Sequence, residues 1–169
     1  PAALRVVWAL ILVYWCDSVL QASGRDLPGG VTASNPTGAR QGKGESTPGS
    51  APGALGLAGV VGRMIRARAV GGAQFALQSG PVLGFWGLMD RAAVRPQFYV
   101  YPLYAHFGSE LVYSAAGPGY RPPRISAYAA RGEADELALL VINHDTTAPE
   151  FTLRLARPDC HPPQVYAHE

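Results

Sequence analysis

The spacing of apolar residues changes along this chain, from a helical period in the middle to a strand-like period near the end. A helix is predicted from Ala54, because apolar side chains recur there three and four residues apart, and Gly71-Gly72 is predicted to end it. Its apolar positions are Leu57, Val60, Val61, Met64 and Ile65. The run AQFAL at residues 73–77 is predicted to be a short buried strand, and a turn at residues 79–81 leads into GFWGLMD. A helix followed by a short apolar strand indicates α/β organisation.

A second amphipathic segment covers residues 95–112, RPQFYVYPLYAHFGSELV. Its aromatic residues, at Phe98, Tyr101, Tyr104 and Phe107, are spaced to share one helix face, and Gly108 is predicted to end the helix. Pro102 conflicts with a continuous helix unless it lies in the first turn. These aromatics are interpreted as packing groups, and Phe107 is predicted to be buried more deeply than Tyr104 because it has no hydroxyl to satisfy. His106 is interpreted as a histidine at an interface.

The last third has the pattern of an antiparallel β-sandwich. Short strands are predicted at residues 111–114, 125–130, 136–143 and 151–156, with turn-forming clusters between them. In residues 151–156 apolar and other side chains alternate, which is the period of a half-buried strand. Short strands separated by turns in this way favour a sandwich, whose core is predicted around Leu139, Leu140 and Ile142.

The N-terminal part allows two interpretations. Residues 6–16, VVWALILVYWC, are an unbroken apolar run, which fits either a signal peptide or a strand buried on both faces. It is too short for a transmembrane helix, which needs about 20 apolar residues. Residues 24–53 are rich in Gly, Pro and Ser and have almost no large apolar side chains, so a flexible surface loop or linker is predicted.

Composition narrows the classes of function. The chain has 169 residues, of which 48% are hydrophobic and 15% charged, so it can build a core. The net charge of +2, from 14 basic and 12 acidic residues, is too balanced to imply nucleic acid as a partner. Cys16 and Cys160 are too few for a disulfide framework. The spacing of Cys160, His161 and His168 fits no standard zinc site, so neither a metal nor a cofactor is predicted. The start at Pro1 and the unfinished last strand predict a fragment.

Several segments, taken in order, resemble the end of a retaining glycoside hydrolase of the large (β/α)8-barrel clan, of the α-L-arabinofuranosidase and β-xylosidase type. The matching segments are ALGLAGVVGRMIRARAVGGAQFAL, GFWGLMD, RPQFYVYPLYAHFG and LALLVINHDTTAP, between about Ala54 and Ala156. The resemblance implies a remnant of a TIM-type barrel followed by part of an antiparallel β-sandwich. The domain boundaries it implies are a strand or signal-like segment at 1–23, a loop at 24–53, terminal barrel elements at 54–108 and a partial sandwich at 109–169.

The resemblance also shows what catalytic groups are lacking. Retaining glycosidases use two carboxyl groups about 5 Å apart, one as nucleophile and one as acid/base. The family's nucleophile segment is matched by VYWCDSV, which puts Trp15 in the nucleophile position and Asp17 two residues later. Trp15 cannot attack an anomeric carbon, and Asp17 is interpreted as a strand end or turn cap. No catalytic residue is therefore assigned, and the isolated chain is predicted to be inactive.

One sugar-binding group is expected. Phe85, Trp86 and Asp90 are the candidate substrate-binding residues, because an aromatic face packs on a sugar while a polar group fixes its hydroxyls. Packing within the core or between domains is the alternative role for the two aromatics. Carbohydrate is the partner implied, and the oligomeric state is open.

Two classes of function stay open: a fragment derived from a glycosidase, and a secreted, non-catalytic β-sandwich module with a signal peptide and linker. An extracellular or periplasmic location is favoured. Pairing of residues 6–16 with residues 73–77 as strands favours the first class, whereas a mature N-terminus near Gly24 favours the second.

Overall fold

The structure, a computed structural model, describes residues 19, 22–24, 29–34, 49–79, 86–91, 93–114, 125–133, 136–147, 150 and 152–154. Its strands are β1 (Val31–Ser34), β2 (Gly72–Gln74), β3 (Gln78–Ser79), β4 (Met89–Asp90), β5 (Ala93–Val94), β6 (Glu110–Val112), β7 (Ile125–Arg131) and β8 (Leu137–Asn143). Its helices are α1 (Ala51–Arg66), a 3-10 turn (Pro96–Tyr99) and α2 (Val100–Ala105).

The first three elements form a β–α–β unit. β1 and β2 are parallel, with Val31 opposite Gly72 and Ser34 opposite Gln74, and the 16-residue helix α1 connects them. Parallel strands need such a crossover connection because a tight turn cannot join them. A helix between two parallel strands is the local arrangement found in α/β proteins. Residues 6–16 lie outside the described residues, and the strand described beside β2 comes from residues 31–34, within the segment predicted to be a loop.

Helix α1 begins and ends at different residues from those predicted. The Ser50 side chain caps its start by accepting a hydrogen bond from the backbone N–H of Gly53, at 3.1 Å. The helix stops at Arg66, five residues before Gly71, which makes the predicted end wrong. The stop is a Schellman-type turn, in which Ala69 N donates to Met64 O and Arg68 N to Ile65 O. Arg68 takes the left-handed conformation, with φ of 56°, which is usual for glycine. Because an arginine stands there, the sequence gives no signal for the end of the helix.

The prediction of a buried strand at residues 73–77 is also wrong. β2 covers only residues 72–74, and of these Gly72 and Ala73 are exposed. Phe75 and Leu77 follow the strand and are 44% and 62% exposed. A mostly apolar segment is buried only where a second layer of structure packs on it. In the described part of the chain, the side chains of Phe75 and Leu77 are left exposed.

The remaining strands form two small sheets. β3 pairs with β4 in parallel and β4 with β5 as an antiparallel hairpin. β6, β7 and β8 form an antiparallel sheet in the order β6–β7–β8, with all seven residues of β7 paired to β8. Three of the four strands predicted for the last third are confirmed, each within a residue or two of its predicted bounds. The fourth is not, because Thr152, Leu153 and Arg154 have no strand structure.

The segment from Pro96 to Gly108 connects the hairpin to this antiparallel sheet. Pro102 is the third residue of α2, so it lies in the first turn, where a missing N–H costs no helical hydrogen bond. Gly108 has φ of +98°, and a Cβ there would lie 2.7 Å from the carbonyl oxygen of Arg131. This position accordingly requires glycine. The helix itself ends at Ala105, three residues earlier, so the prediction that it runs to Gly108 is wrong, and Gly108 instead precedes β6.

One core joins α1, α2 and the antiparallel sheet. Its buried members are Leu57, Ala58, Val100, Phe107, Tyr128, Ala130 and Ile142. Phe107 is buried, whereas Tyr104 is only partly buried, which confirms Phe107 as the deeper residue. Ile142 is buried as predicted, but Leu139 and Leu140 are half-buried. His106 is exposed, so its interpretation as an interface histidine is wrong within the described residues.

Candidate functional site

The candidate sugar-binding residues lie in and before the β4–β5 hairpin. Asp90 is the second residue of β4, and Arg95 follows β5 directly, so the hairpin brings their side chains together. The Arg95 Nη2 atom lies 3.5 Å from Asp90 Oδ2, with 9% of the arginine side chain and 58% of the aspartate side chain exposed. Arg95 also donates from Nη1 to the carbonyl oxygen of Gly87, at 2.9 Å. The buried guanidinium of Arg95 thus connects two parts of the chain, residues 87–90 and the start of the 3-10 turn.

Trp86 stands at the beginning of the same segment. Its ring is edge-on to that of Phe75, with centroids 5.8 Å apart and planes at 66°. The Trp86 carbonyl oxygen accepts a hydrogen bond from Ala76 N at 3.3 Å, and Ala76 O in turn accepts one from Leu88 N at 2.9 Å. Backbone pairing therefore fixes the aromatic pair in place, and Trp86 remains partly exposed.

Of the predicted site residues, the structure places Trp86 and Asp90 in one short segment. Phe85, Trp15 and Asp17 lie outside the described residues. The partly exposed Trp86 ring and the Asp90 carboxylate offer an aromatic surface and a hydrogen-bond acceptor near one another along the chain. Phe75, the ring that packs against Trp86, was predicted from the sequence to lie in a buried strand.

A second polar pair was not predicted. Ser126 Oγ on β7 and His144 Nε2, just past β8, are 2.9 Å apart, and Ser126 is buried. His144 as a whole is exposed, but its ring is partly desolvated, and this desolvation, together with the nearby positive charge of Arg63, lowers the pKa of His144 below its ordinary value. The neutral imidazole is therefore the stable form at pH 7. From the sequence, His144 is only one residue of a turn cluster. The contact between Ser126 and His144 could not be predicted, because it depends on the strand register that puts Ser126 opposite Ile142.

Tyrosine hydroxyls link the helices and the sheet. Tyr104 donates to the carbonyl oxygen of Ala58 at 2.6 Å, and Tyr128 donates to that of Gly59 at 3.1 Å. Burial, with a smaller contribution from neighbouring Tyr128, raises the pKa of Tyr104 above its ordinary value. Both hydroxyls bond to helix carbonyls and hold α1 in place, which makes them structural groups.

An apolar cleft lies on another side of α1. It has a volume of about 130 Å³ and is bordered by α1, Ala69, residues 71–74 and Tyr101. Trp86 and Asp90 are not among its lining residues. Within the described part of the chain, no cluster of three or more His, Cys, Asp or Glu side chains is arranged to hold a metal ion.

Comparisons with protein-family models, with curated proteins and with solved structures find no match to this chain. None of the helices in the described ranges has the length and apolar character needed to cross a membrane.

Proposed function

We propose that this chain is a non-catalytic, glycosidase-derived protein, built from a terminal barrel-type β–α–β unit and part of an accessory β-sandwich. The observation that carries the proposal is the order of its parts. A parallel β1–α1–β2 unit is followed by the 96–108 segment and then by an antiparallel sheet, and the helix of the unit shares one core with that segment and that sheet. Parallel strands alternating with helices are the repeating unit of (β/α)8 barrels, and antiparallel strands with tight turns are typical of sandwiches.

The antiparallel sheet also supports the sandwich part of the proposal. Side chains of Tyr128 and Ile142 belong to the core shared with α1, so the alternation of side chains turns Ala129, Leu139 and Val141 to the opposite face. These three are buried or half-buried apolar residues. A sheet that is apolar on both faces fits between two layers. The helices α1 and α2 cover one face, and the second sheet of a sandwich is the layer that we propose for the other.

The residue at the expected nucleophile position supports a non-catalytic role. The segment VYWCDSV puts Trp15 where the resembled family has its nucleophile, and an indole cannot attack an anomeric carbon. Retaining hydrolysis needs two carboxyl groups at close range.

The test of this part is a rate measurement. The purified chain is incubated with aryl α-L-arabinofuranosides and aryl β-xylosides, beside its Asp17→Asn variant. We expect no release of phenol above background from either protein. Turnover that persists through purification and disappears in Asp17→Asn would overturn the non-catalytic assignment.

Sugar binding at Trp86 and Asp90 is the finer part of the proposal. A partly exposed indole ring packs on the apolar face of a pyranose or furanose, and an exposed carboxylate accepts hydrogen bonds from its hydroxyls. Calorimetric titration with xylo- and arabino-oligosaccharides should give heat that is lost in Trp86→Ala. Tyr113→Ala is the matched control, since Tyr113 is 92% exposed and lies outside the hairpin. Equal binding by both variants would remove Trp86 from the site.

A further inference from the structure

The antiparallel sheet has two edges, and β8 forms one of them. All seven residues of β8 pair with β7 on one side. On the other side of β8, no strand and no hydrogen-bonding group lies within the described part of the chain. Alternate residues of a strand direct their backbone N–H and C=O groups to opposite sides, so β8 presents a row of unpaired groups along this edge.

The opposite edge of the sheet, at β6, is protected. β6 has only three residues, and the carboxylate of its Glu110 lies 3.7 Å from the guanidinium of Arg131 on β7. Beyond the end of β6, the carbonyl oxygen of Ala127 accepts hydrogen bonds from Arg66 Nη2, at 2.8 Å, and from Ser114 Oγ, at 3.0 Å. Short strands and charged side chains are the usual means by which an edge avoids pairing with another chain.

β8 lacks these protections. Its sequence, LALLVIN, contains no charged residue and no proline, and its register with β7 is regular over its whole length. Leu137 is 42% exposed, and residues 138–141 are half-buried. A long, regular and apolar edge strand of this kind is a template on which a further strand adds.

We propose that β8 pairs with β8 of a second copy of this chain, so that two molecules form one six-stranded sheet about a two-fold axis. The antiparallel register centred on Leu140 pairs all seven residues of both strands. It places Leu139 opposite Val141 of the second copy, and Ala138 opposite Ile142. Apolar side chains therefore meet on both faces of the sheet, and no charged group enters the paired stretch.

The difference between the two edges favours a second copy as the partner. In the pair, the strand order becomes β6–β7–β8–β8–β7–β6, so both unprotected edges lie inside the sheet. The outer edges are then the two short β6 strands with their Glu110 side chains. Pairing accordingly closes at two molecules, as in other two-fold symmetric dimers, and does not continue into a fibre. The interface shares no residue with the proposed sugar-binding site and goes beyond the proposed function.

Sedimentation equilibrium of the full chain at pH 7, from micromolar to submillimolar concentration, measures the state of assembly. We expect the mass to rise with concentration to twice the 17.9 kDa of one chain. Two double variants test the register, one with Leu139→Lys and Val141→Lys and the other with Leu139→Glu and Val141→Glu. Like charges then lie directly opposite each other, which should weaken each dimer by about tenfold or more. An equal mixture of the two variants should restore the dimer.

Val112→Lys is the matched control, because Val112 is half-buried and shares a sheet face with Leu139 but lies on β6. This variant should form dimers as the unaltered chain does. Far-ultraviolet circular dichroism should be the same for all variants.

Hydrogen exchange of the unaltered chain is a second route that depends on no variant. Amides of residues 137–143 that face away from β7 should exchange more slowly at high than at low protein concentration.

Several results would overturn the proposal. One is a mass of a single chain at every concentration, together with exchange in residues 137–143 that does not depend on concentration. Masses that grow beyond two chains would contradict closure at a dimer. Full dimerisation of the lysine variant, or a mixture of folded lysine and glutamate variants that stays monomeric, would exclude pairing through β8 in this register.

Discussion

Phe107 connects the second helix to the antiparallel sheet. It is 4% exposed, its ring lies edge-on to Tyr104 with centroids 5.4 Å apart, and it belongs to the core that α1 also enters. Its Gly108 neighbour turns the chain into β6. The phenyl ring thus acts by burial at the joint between the helical part and the sheet.

Truncation of this ring should be among the most damaging single changes. Phe107→Ala is expected to lower the free energy of unfolding by about 3–5 kcal/mol, from lost transfer energy and the cavity left behind. Thr147→Ala, at an exposed turn position, should stay within about 0.5 kcal/mol. Chemical denaturation measures both, and an unchanged midpoint for Phe107→Ala would contradict the role of the ring in the joint.

His144 should make stability depend on pH. Its folded-state pKa lies below the unfolded value of 6.5, so the unfolded chain binds the proton more readily. The stability associated with the neutral imidazole is therefore present above pH 6.5 and is lost progressively as the pH falls through that value towards the folded pKa. Protonation also brings a second positive charge near Arg63.

Thermal melts of the unaltered chain and of His144→Gln between pH 8 and pH 5 measure this dependence. The decline in melting temperature below pH 6.5 should be smaller in His144→Gln, which cannot take up the proton. His106→Gln is the matched control at an exposed position and should retain the decline. Identical pH profiles for the unaltered chain and His144→Gln would rule out this histidine as the source.

At the scale of elements, helix α1 packs closely against its neighbours because its inner face carries small residues. Ala58, Gly59 and Gly62 are buried on this face, and the Tyr104 and Tyr128 hydroxyls reach helix carbonyls across it. A Cβ at Gly62 would lie 2.5 Å from a ring carbon of Tyr128 and 2.6 Å from the hydroxyl oxygen of Tyr104. Only glycine allows this approach without displacing both aromatic side chains.

The glycines of α1 should accordingly respond in opposite directions to substitution by alanine. Gly62→Ala is expected to destabilise the protein by about 1–3 kcal/mol through overpacking, although alanine favours the helix. Gly56→Ala, where a Cβ meets no atom within 4 Å, should stabilise by up to about 1 kcal/mol. Urea denaturation of both variants tests the pair, and stabilisation by Gly62→Ala would contradict the close packing of α1 on Tyr128.

At the scale of the whole molecule, the described elements differ in how much pairing supports them. β7 and β8 share seven paired residues, and the core lies against one face of their sheet. β3, β4 and β5 have two residues each, and Phe75 and Leu77 beside them are exposed. Local opening is easiest where few apolar contacts and short ladders hold an element.

Amide hydrogen exchange should follow this difference. Protection is expected to be strongest in residues 137–143 and in the part of α1 that carries Leu57 and Ala58, and weakest in residues 89–94. The sequence further predicts slower exchange in residues 136–143 than in residues 6–16. Slower exchange at Met89 and Val94 than at Leu140 and Ile142 would contradict the core described above.

The sequence by itself determined the elements whose pattern is local. The periodic apolar positions of α1, the turn clusters around β7 and β8 and the burial of Phe107 all follow from spacing and residue type. Trp86 and Asp90 are candidates that come from the sequence alone, because an aromatic and an acidic residue in one short segment stand out without knowledge of the fold.

Only the tertiary structure decided which residues meet across the chain. The strand at Val31–Ser34 exists because it pairs with Gly72–Gln74, which its own composition does not indicate. Arg68 ends α1 in a conformation usual for glycine. Ser126 meets His144 through strand register, and the carboxamide of Gln74 is buried only in the folded chain. Packing between residues far apart in the sequence decides these features. The spacing of residues along the chain indicates only the local preference for helix or strand and which side chains share a buried face.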